Sequence, residues 1–589
     1  MSYRTCTCGA LRVTHLNSQP TLCGWVNSRR DHGGVIFVDL RDSDGITQIV
    51  FHPETNSELA ELAHTLRSED VIQVTGRVAC RLSGTENPKL ATGEIEVVVT
   101  SLNILNRSEV LPFPLDSEVS NEDLRLSYRY LDLRSPMMTR NLRIRHRLQR
   151  AIRTYMDQQG FMEVETPILS KSTPEGAREF LVPSRTYPGN FYALAQSPQQ
   201  YKQLLMAGGV EKYFQIARCF RDEDPRADRL IELTQLDVEA SFFKSEDIFI
   251  LIEGLISRIF QETLEINVPS RFPCLTYREA MERFGSDKPD TRFGMELIQV
   301  EDIFQSTDFK VFRTALDHGG CIKALNAKGF AHITTGQIEE LTQLARRHHA
   351  KGLAFIKVEN GEWKSPIVKF FTPAEKEALA ARLNIEEGDL ILFGADKWAV
   401  VCEVLGRIRL RVAELLKLVT DATRLDFLWV VDFPLLSFLE EEGKWGAVHH
   451  PFTRPKAEDL PLLKEGKFDE IRAEAYDLVL NGVEIGGGSI RIHEQKLQAQ
   501  IFEVLGIKPE KQQLLFGHLL DAFRFGTPPH GGIALGVDRL MMLLCGTANI
   551  RDVIAFPKSS RGQDLLFLSP SEVEARQLHE LSIQLTPKS

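Results

Sequence analysis

Alternation of apolar and polar residues over the first hundred positions predicts a small β-barrel. Five stretches alternate with a period of two, as half-buried strands do, and turn-forming residues separate them. They are TLCGWV, GVIFVDLRD, ITQIVFH, VIQVTGRVA and EIEVVVTSLNIL, and the helical stretch SELAELAHTLRS stands between the third and the fourth. This is the element order of an OB-fold barrel, a binder of single-stranded nucleic acid, although small barrels with other roles share the pattern.

Beyond the barrel, at residues 1–105, the pattern divides the chain into five further segments. Prolines and turn formers over residues 106–135 indicate a hinge or linker. A helical period then opens a mixed pattern of helices and strands. The expected segments are a first catalytic part at 136–285, an inserted α+β module at 286–425, a second catalytic part at 426–556 and a C-terminal extension at 557–589. We therefore expect a multidomain α+β protein.

Composition excludes several classes of protein. Of the 589 residues, 43% are hydrophobic and 26% are charged, which is typical of a soluble globular protein. No apolar run approaches the ~20 residues that span a bilayer, and the opening MSYRTCTCGALRV lacks the order of a signal peptide. The nine cysteines are scattered without metal-binding spacing. We expect a cytoplasmic protein with reduced thiols and no membrane contact.

Charge is distributed unevenly along the chain. The net charge of −11 argues against nonspecific nucleic-acid binding by overall charge. Residues 125–153, however, hold nine arginines and a single acid, Asp132. This run is either a local patch for nucleic acid or a helix face whose arginines pair with acids elsewhere.

Three segments suggest how the chain could bind a nucleotide without a GxxxxGK[ST] or GxGxxG loop, neither of which is present. Gly160–Pro167 reads as a helix end followed by a strand. In Phe220–Glu223, Arg221 and Glu223 stand two apart, so on a strand they share one face. Arginine binds phosphate with two N–H groups, and Gly532–Leu540 places Arg539 near a helix start, where phosphates are favoured.

The three segments resemble motifs 1, 2 and 3 of class II aminoacyl-tRNA synthetases. In detail the chain resembles the bacterial-type aspartyl-tRNA synthetases over essentially its whole length. The matching segments include GWVNSRRDHGGVIFVDLRD, STPEGAREFLVPSR, ALAQSPQQYKQLLM, RCFRDEDPRADR, AVHHPFT, NGVEIGGGSIRIH and DAFRFGTPPHGGIALGVDRL. The resemblance implies an anticodon-binding OB-fold barrel, an antiparallel-sheet catalytic domain and, at 286–425, the insertion of the bacterial branch.

The resemblance also implies the reaction and an amino-acid pocket. The family joins aspartate to ATP as aspartyl-adenylate and then transfers the aspartyl group to tRNA. Arg491 and Lys202 match the cations for the side-chain carboxylate, Asp237 would orient them, and His449 with its neighbour His450 would close a loop over the amino acid. The implied aspartate-binding residues are Glu175, Ser197, Gln199, Lys202, Arg221, Asp237, His449 and Arg491.

ATP is implied as substrate and Mg²⁺ as cofactor. Arg221 would bridge the α-carboxylate and the α-phosphate, Arg539 would bind the γ-phosphate, and both are the expected catalytic residues. Asp477 and Glu484 match the metal-binding acids, an oxygen set that suits a hard cation. The implied ATP-binding residues are Arg221, Asp222, Glu223, Glu484, Gly536, Val537, Asp538 and Arg539. Leu230 departs from the family, which has a glutamine there.

Gly486, Gly487 and Gly488 either permit close backbone approach or form a tight turn. In the barrel, the resemblance implies anticodon contacts from Arg29, Arg30, Phe37 and Gln48. Phe37 would stack on a base, unless it belongs to the barrel core.

His32, with Gly84 as a second marker, resembles the nondiscriminating branch of the family. That branch charges tRNA(Asn) as well as tRNA(Asp) with aspartate, and an amidotransferase then acts on the mischarged tRNA. The segment around Pro167 resembles the family's homodimer interface.

Three alternatives remain open. One is a discriminating enzyme that charges tRNA(Asp) only. A second is a sister synthetase for asparagine or lysine, against which the two cations Lys202 and Arg491 argue. The third is a noncatalytic RNA-binding protein. The presence of the full set of implied catalytic residues argues against it: Arg221, Glu223, Asp477, Glu484 and Arg539.

Overall fold

A computed structural model describes residues 2–115, 121–172, 177–421 and 423–586. The chain divides into two compact units, Met1–Arg140 with Leu565–Phe567, and Asn141–Asp564 with Leu568–Ser589. Within the described ranges no helix is both long and apolar enough to cross a membrane.

The first unit contains a closed five-stranded barrel. Its strands are β1 (Thr21–His32), β2 (Val35–Arg41), β3 (Ile46–Phe51), β4 (Val71–Cys80) and β5 (Ile95–Asn106), with helix α1 (Ser57–His64) between β3 and β4. The strands close in the order β1-β2-β3-β5-β4. Alternate side chains such as Ile36 and Val38 fill the interior, which is why the period-two pattern predicted the barrel. The predicted OB-fold barrel is confirmed.

The stretch expected to be a plain linker contains two short helices, α2 (Glu122–Ser127) and α3 (Arg129–Asp132), before the long helix α4 (Pro136–Gln158). The Asn121 side chain caps α2 by accepting from the Leu124 N–H at 3.0 Å. At least six arginines of the 125–153 run form ion pairs with carboxylates, as the second of the two interpretations requires. The pairs are Arg125–Asp132, Arg129–Asp132, Arg134–Glu69, Arg145–Asp538, Arg150–Glu262 and Arg153–Glu163.

The second unit begins its regular structure with short strands and three helices. The strands are β6 (Met162–Glu163), β7 (Leu169–Ser170), β8 (Leu181–Pro183), β9 (Phe191–Leu194), β10 (Lys212–Phe220), β11 (Glu232–Ser241) and β12 (Cys274–Thr276). The helices are α5 (Gln199–Ala207), α6 (Ser245–Leu264) and α7 (Tyr277–Phe284).

A five-stranded sheet with its own helices follows. Its strands are β13 (Ile298–Gln299), β14 (Cys321–Ala327), β15 (Ala354–Glu359), β16 (Glu362–Lys364) and β17 (Leu390–Asp396). Its helices are α8 (Lys310–Asp317), α9 (Thr335–Arg347), α10 (Pro373–Leu383) and α11 (Trp398–Leu416). The strand order is β13-β14-β17-β15-β16, and we call this part the inserted module.

The remaining elements include the last strands of the large sheet and a separate two-stranded sheet. The strands are β18 (Phe427–Val431), β19 (Leu436–Leu439), β20 (Lys444–Ala447), β21 (Ala475–Leu480), β22 (Val483–Ile490) and β23 (His530–Gly536). The separate sheet is β19-β20. The helices are α12 (Leu460–Glu465), α13 (Gln495–Val504), α14 (Pro509–Phe523), α15 (Val537–Cys545) and α16 (Ala575–Glu580).

Eight strands form this largest sheet, in the order β12-β18-β21-β22-β23-β11-β10-β6. Its centre is antiparallel, and β23 pairs with β22 on one side and with β11 on the other. Helices α4, α6 and α15 contribute to the core beneath it. The α+β fold class is confirmed, and the central strands β10, β11, β21, β22 and β23 bring distant parts of the sequence into one surface.

Candidate active site

A cleft of about 610 Å³ lies over the centre of the large sheet. It is bordered by the start of α5, by the ends of β10 and β11, by β21–β23 and by the loop at residues 448–453. Thirteen of the residues expected to bind aspartate, ATP or metal line it: Ser197, Gln199, Lys202, Arg221, Glu223, Asp237, His449, Asp477, Glu484, Arg491, Gly536, Asp538 and Arg539.

Two expected residues, Asp222 and Val537, do not line the cleft. Asp222 points its carboxylate at the exposed Arg178, at 3.1 Å, and does not line the cleft. Val537 is buried in the core at the start of α15. Their side chains differ in direction from those of their cleft-lining neighbours because successive residues of a chain segment point to different sides. Glu175 lies outside the described residues.

Four charged side chains form one end of the cleft. Lys202, on α5, lies 3.0 Å from Asp237 and 3.3 Å from Glu239, both measured from its Nζ. Arg491 donates from Nε and Nη2 to the two oxygens of Glu239, at 2.9 and 3.2 Å. All four residues are at most 2% exposed. The two cations and two anions balance, which is what makes burial of four charges tolerable.

Glu239 was not predicted, and it corrects the role given to Asp237. Asp237 holds Lys202, whereas Glu239 contacts both Lys202 and Arg491. Burial alone would raise the pKa of Glu239, but Arg491 and Lys202 outweigh it and hold that pKa below its usual value. The sequence does carry a signal, since Asp237 and Glu239 are two apart on β11 and therefore share a face.

Glycines make room for this charge cluster. A Cβ on Gly532 would lie 2.2 Å from Oε2 of Glu239 and 2.0 Å from the Val238 carbonyl oxygen. Gly487 and Gly488 lie within β22, where a Cβ would meet Asp477 Oδ1 at 2.7 Å or the Gly532 carbonyl oxygen at 2.2 Å. The glycine run therefore serves close approach between strands and not a turn.

His450 lies over Arg491 with both ring nitrogens facing N–H groups. Its Nε2 is 2.7 Å from Arg491 Nη1, and its Nδ1 accepts from the Phe452 N–H at 3.1 Å. A neutral imidazole has one acceptor nitrogen, so one of these contacts is unsatisfied. Burial, followed by Arg491, lowers the pKa of His450 well below its usual value. Next to it, the His449 ring meets Phe433 edge to face, with the centroids 4.6 Å apart.

Arginines line the opposite end of the cleft. Arg221 follows β10, and among the described residues its guanidinium has no ion-pair partner. Arg539, in the first turn of α15, donates to the Glu484 carbonyl oxygen at 2.6 Å. Glu223 lies 3.6 Å from Arg229. This end offers N–H donors to an anion beside a helix start.

Both oxygens of the Asp538 carboxylate accept hydrogen bonds from other parts of the protein. Its Oδ1 accepts from Arg145 at 2.6 Å, and its Oδ2 accepts from the Thr234 N–H at 2.7 Å. Leu230 also lines the cleft, but it is 6% exposed and packs in the core. Its side chain offers no polar contact where the family has glutamine.

Two acids on neighbouring strands could hold a cation between the two ends of the cleft. Asp477 is on β21 and Glu484 is on β22, and both line the cleft. Burial, followed by the charges of Glu484 and Asp287, raises the pKa of Asp477 well above its usual value. A cation at this place would relieve that repulsion, so the residues present fit a divalent metal.

A second candidate site is the outer face of β1–β3 in the barrel. Phe37 is half-buried there and does not belong to the barrel core. Arg30 contacts both Asp39 oxygens, at 3.0 and 3.1 Å, and Gln48 donates to Glu96 at 2.8 Å. Arg29 contacts Nδ1 of His64 at 3.2 Å.

The two markers of the nondiscriminating branch are also in the barrel. The exposed His32 ring lies edge-on to Phe37, with the centroids 5.9 Å apart. Gly84, in the connection between β4 and β5, has a φ of 87°.

The parts of the chain that contain these two sites match the models of two known protein families. The family described as tRNA synthetases class II (D, K and N) matches residues 121–560, and the OB-fold nucleic acid binding domain family matches residues 21–105. The chain belongs to the class II tRNA synthetases of this description.

Comparison with individual proteins shows which members of this family the chain is similar to. The chain is 55% identical to the aspartate–tRNA(Asp/Asn) ligase of Opitutus terrae, over 99% of each chain. It is 51% identical to the aspartate–tRNA ligase of Staphylococcus saprophyticus, over 99% of this chain and 100% of the relative. Among solved structures, asparaginyl-tRNA synthetase from Pyrococcus horikoshii with asparaginyl-adenylate has a TM-score of 0.59 and 21% identity, covering 94% of this chain and 98% of that chain. At that identity the likeness concerns the fold alone.

Proposed function

We propose that the protein ligates L-aspartate to tRNA through aspartyl-adenylate, with ATP as the second substrate. The observation that carries this proposal is the pair of buried cations, Lys202 and Arg491, at one end of the cleft. Both present N–H donors only. A carboxylate can accept from both, whereas the amide of asparagine would turn its own N–H groups towards donors, and a lysine ammonium would be repelled.

The other groups at this end suit the rest of the amino acid. One oxygen of Asp237, Oδ2, is buried and has no hydrogen-bond partner among the described residues. Ser197 and Gln199 line the same region. They are suitable acceptors for the α-ammonium group. When the side-chain carboxylate takes the Nη1 edge of Arg491, His450 can turn its Nε2 N–H towards that carboxylate, which relieves the donor–donor contact.

Activation needs no protein base, because the α-carboxylate of aspartate is itself the nucleophile. Arg221 would hold that carboxylate against the α-phosphate, and Arg539 would hold the γ-phosphate. The rate then comes from positioning and from neutralising charge in the transition state. Asp477 and Glu484 would hold Mg²⁺, which neutralises phosphate charge when it is bound.

The barrel is the proposed reader of the anticodon. Phe37 offers a ring on the outer face for base stacking, and Arg30 is its cross-strand neighbour. Arg29, also on β1, and Gln48, on β3, offer further polar groups. We propose that both tRNA(Asp) and tRNA(Asn) are charged, since His32 lies beside Phe37. The resulting aspartyl-tRNA(Asn) would need an amidotransferase. The second candidate is charging of tRNA(Asp) alone, which the name of the Staphylococcus saprophyticus relative favours.

A cytoplasmic homodimer is the proposed form of the enzyme. Met162, Ile168 and Leu169, in and after the motif 1 segment, are 60%, 47% and 48% exposed. Apolar side chains exposed together favour an interface. Light scattering on the purified chain would show whether it is dimeric.

Pyrophosphate exchange across the twenty amino acids tests the amino-acid specificity. We expect exchange with aspartate and its loss in Arg491→Met, with little change in the control Arg472→Met, whose side chain is 42% exposed. Exchange with asparagine or lysine, and none with aspartate, would contradict the proposal.

Charging of purified tRNA(Asp) and tRNA(Asn) with labelled aspartate tests the tRNA range. We expect both to accept aspartate, and His32→Leu to lose mainly tRNA(Asn). The matched control is His579→Leu, an exposed histidine outside the barrel. Charging of tRNA(Asp) alone by the unmodified enzyme would establish the second candidate instead.

A further inference from the structure

The segment Gly285–Met295, which we call the entry segment, joins α7 to the inserted module and is in backbone contact with α11. Gly285 ends α7 with a φ of 64°. A Cβ on Gly285 would lie 2.2 Å from the Cys402 carbonyl oxygen, and a Cβ on Gly406 would lie 2.2 Å from the Gly285 carbonyl oxygen. The two helices therefore meet where neither has a side chain.

Arg409, on α11, fixes the rest of the entry segment. Its guanidinium donates to the carbonyl oxygens of Asp290, Phe293 and Gly294 at 2.9 Å, and to that of Met295 at 3.0 Å. It also stacks over the Phe293 ring at 4.1 Å. The residue is 1% exposed. Four hydrogen bonds from one guanidinium to main-chain carbonyl groups between residues 290 and 295 restrict the motion of this segment.

The entry segment lies against the hairpin of β21 and β22. This hairpin carries the two proposed metal-binding acids, Asp477 and Glu484. A Cβ on Gly482, in the turn between β21 and β22, would lie 3.0 Å from Cβ of Asp290. Thr291 donates to Asp426, just before β18, at 3.1 Å. The inserted module therefore supports the strands of Asp477 and Glu484 through this segment.

Asp287 extends from the entry segment into the cleft. It lines the cleft with Asp477 and Glu484. After burial and Glu484, its charge helps to raise the pKa of Asp477, and the neighbouring Lys288 opposes this effect. Burial lowers the pKa of His449, and Glu484 and Asp287 offset part of that lowering. Among the described residues no three histidine, cysteine or acidic side chains are close enough to hold a metal together. The role inferred for Asp287 therefore rests on its charge beside Asp477 and Glu484, and not on a third direct ligand bond.

We propose that Asp287 is a positioning residue for magnesium–ATP, held beside Asp477 and Glu484 by the inserted module, whose Arg409 fixes the entry segment. This proposal rests on the proposed function. The added negative charge strengthens the binding of the cation that accompanies the nucleotide. The inserted module, attached through Arg409, becomes a part of the active site although it contributes no group to the reaction.

The test is Asp287→Asn in the full-length chain. We expect the Mg²⁺ concentration for half-maximal pyrophosphate exchange to rise about three- to tenfold, as removal of one nearby charge requires. Calorimetric affinity for Mn²⁺ in the presence of a nonhydrolysable ATP analogue should fall by a similar factor. Aspartate affinity without nucleotide should not change. Asp302→Asn, an exposed acid of the inserted module paired with Arg382, is the matched control.

Arg409→Lys tests the connection. It should shift the Mg²⁺ requirement in the same direction, and the double variant with Asp287→Asn should add little, because both act on one interaction. Unchanged Mn²⁺ affinity in Asp287→Asn would overturn the proposal, as would a loss of aspartate affinity alone. The Mn²⁺ measurement needs no turnover and therefore tests this proposal by itself. Failure of the proposed function would be seen separately, as the absence of pyrophosphate exchange by the unmodified enzyme.

Discussion

Glu239 and Arg491 are 252 residues apart in the sequence, yet Arg491 donates to both oxygens of Glu239, at 2.9 and 3.2 Å. Glu239 also lies 3.3 Å from Lys202, so one carboxylate orients both cations of the proposed aspartate subsite. The pair is buried, which makes the loss of one partner costly.

Glu239→Gln leaves Arg491 and Lys202 short of one negative charge. We expect a loss of about 3 kcal/mol in stability and a higher KM for aspartate. Calorimetry and pyrophosphate exchange measure the two effects. The control is Glu232→Gln at the start of β11, whose partner Arg218 is 41% exposed and whose loss should cost less than about 1 kcal/mol. Equal effects from both variants would contradict the role given to Glu239.

His450 predicts a dependence of stability on pH. Its pKa is lowered by burial and then by Arg491, His449 and Lys202, so the folded protein disfavours the protonated ring. The stabilisation is fully present above the unfolded pKa of about 6.5 and is lost as the pH falls towards the folded value. Thermal unfolding should show a smaller loss between about pH 7.5 and about pH 5.5 in His450→Gln than in the unmodified protein. An identical loss in both would assign the effect to other groups.

Gly532→Ala places a methyl group within 2.2 Å of Glu239 and of strand β11. Because backbone on one side and a buried carboxylate on the other cannot both move, we expect a loss of more than about 3 kcal/mol or failure to fold. Gly336→Ala on α9 is the control, since its Cβ meets nothing within 4 Å. It should be neutral or stabilising by less than about 1 kcal/mol. Comparable thermal stability of the two variants would disprove the steric argument.

Leu230→Gln tests the residue that departs from the family. A glutamine side chain would bring polar atoms to the cleft, so we expect the KM for ATP to fall severalfold. The same change buries an amide in the core at a cost of about 1–3 kcal/mol, visible as a lower Tm. Leu230→Met keeps an apolar side chain and should leave the KM for ATP unchanged. A KM unaffected by glutamine would mean that nucleotide binding does not use this position.

Short-range periodicity predicted the barrel, and the family resemblance carried by short motifs implied most of the residues that line the cleft. Alternation in β1–β5 is local, and the motif residues Arg221 and Arg539 carry their chemistry in their own segments. The short helices α2 and α3 were missed because prolines and turn formers dominate the composition before them, whereas the cap at Asn121 is a single residue.

The contacts of Glu239 and Asp538 could not be predicted, because they depend on the long-range arrangement of the strands. The role of Glu239 depends on the register that sets β11 beside β23 and β23 beside β22. Asp538 is predicted to contact the nucleotide and lines the cleft, and the structure adds that both its carboxylate oxygens accept hydrogen bonds, from Arg145 and from the Thr234 N–H. Neither relationship is visible from spacing, since the partners are joined only by the folded sheet.

The exposed position of His32 has an evolutionary consequence. The exposed His32 at the end of β1 can be replaced with little penalty in folding, whereas Arg491 is buried with three other buried charges, those of Lys202, Asp237 and Glu239. Under the tRNA range proposed above, a single substitution at this exposed position would change the set of tRNA partners. A change of amino acid would instead require several coordinated replacements, so we expect the specificity for tRNA to change more readily in evolution than the specificity for the amino acid.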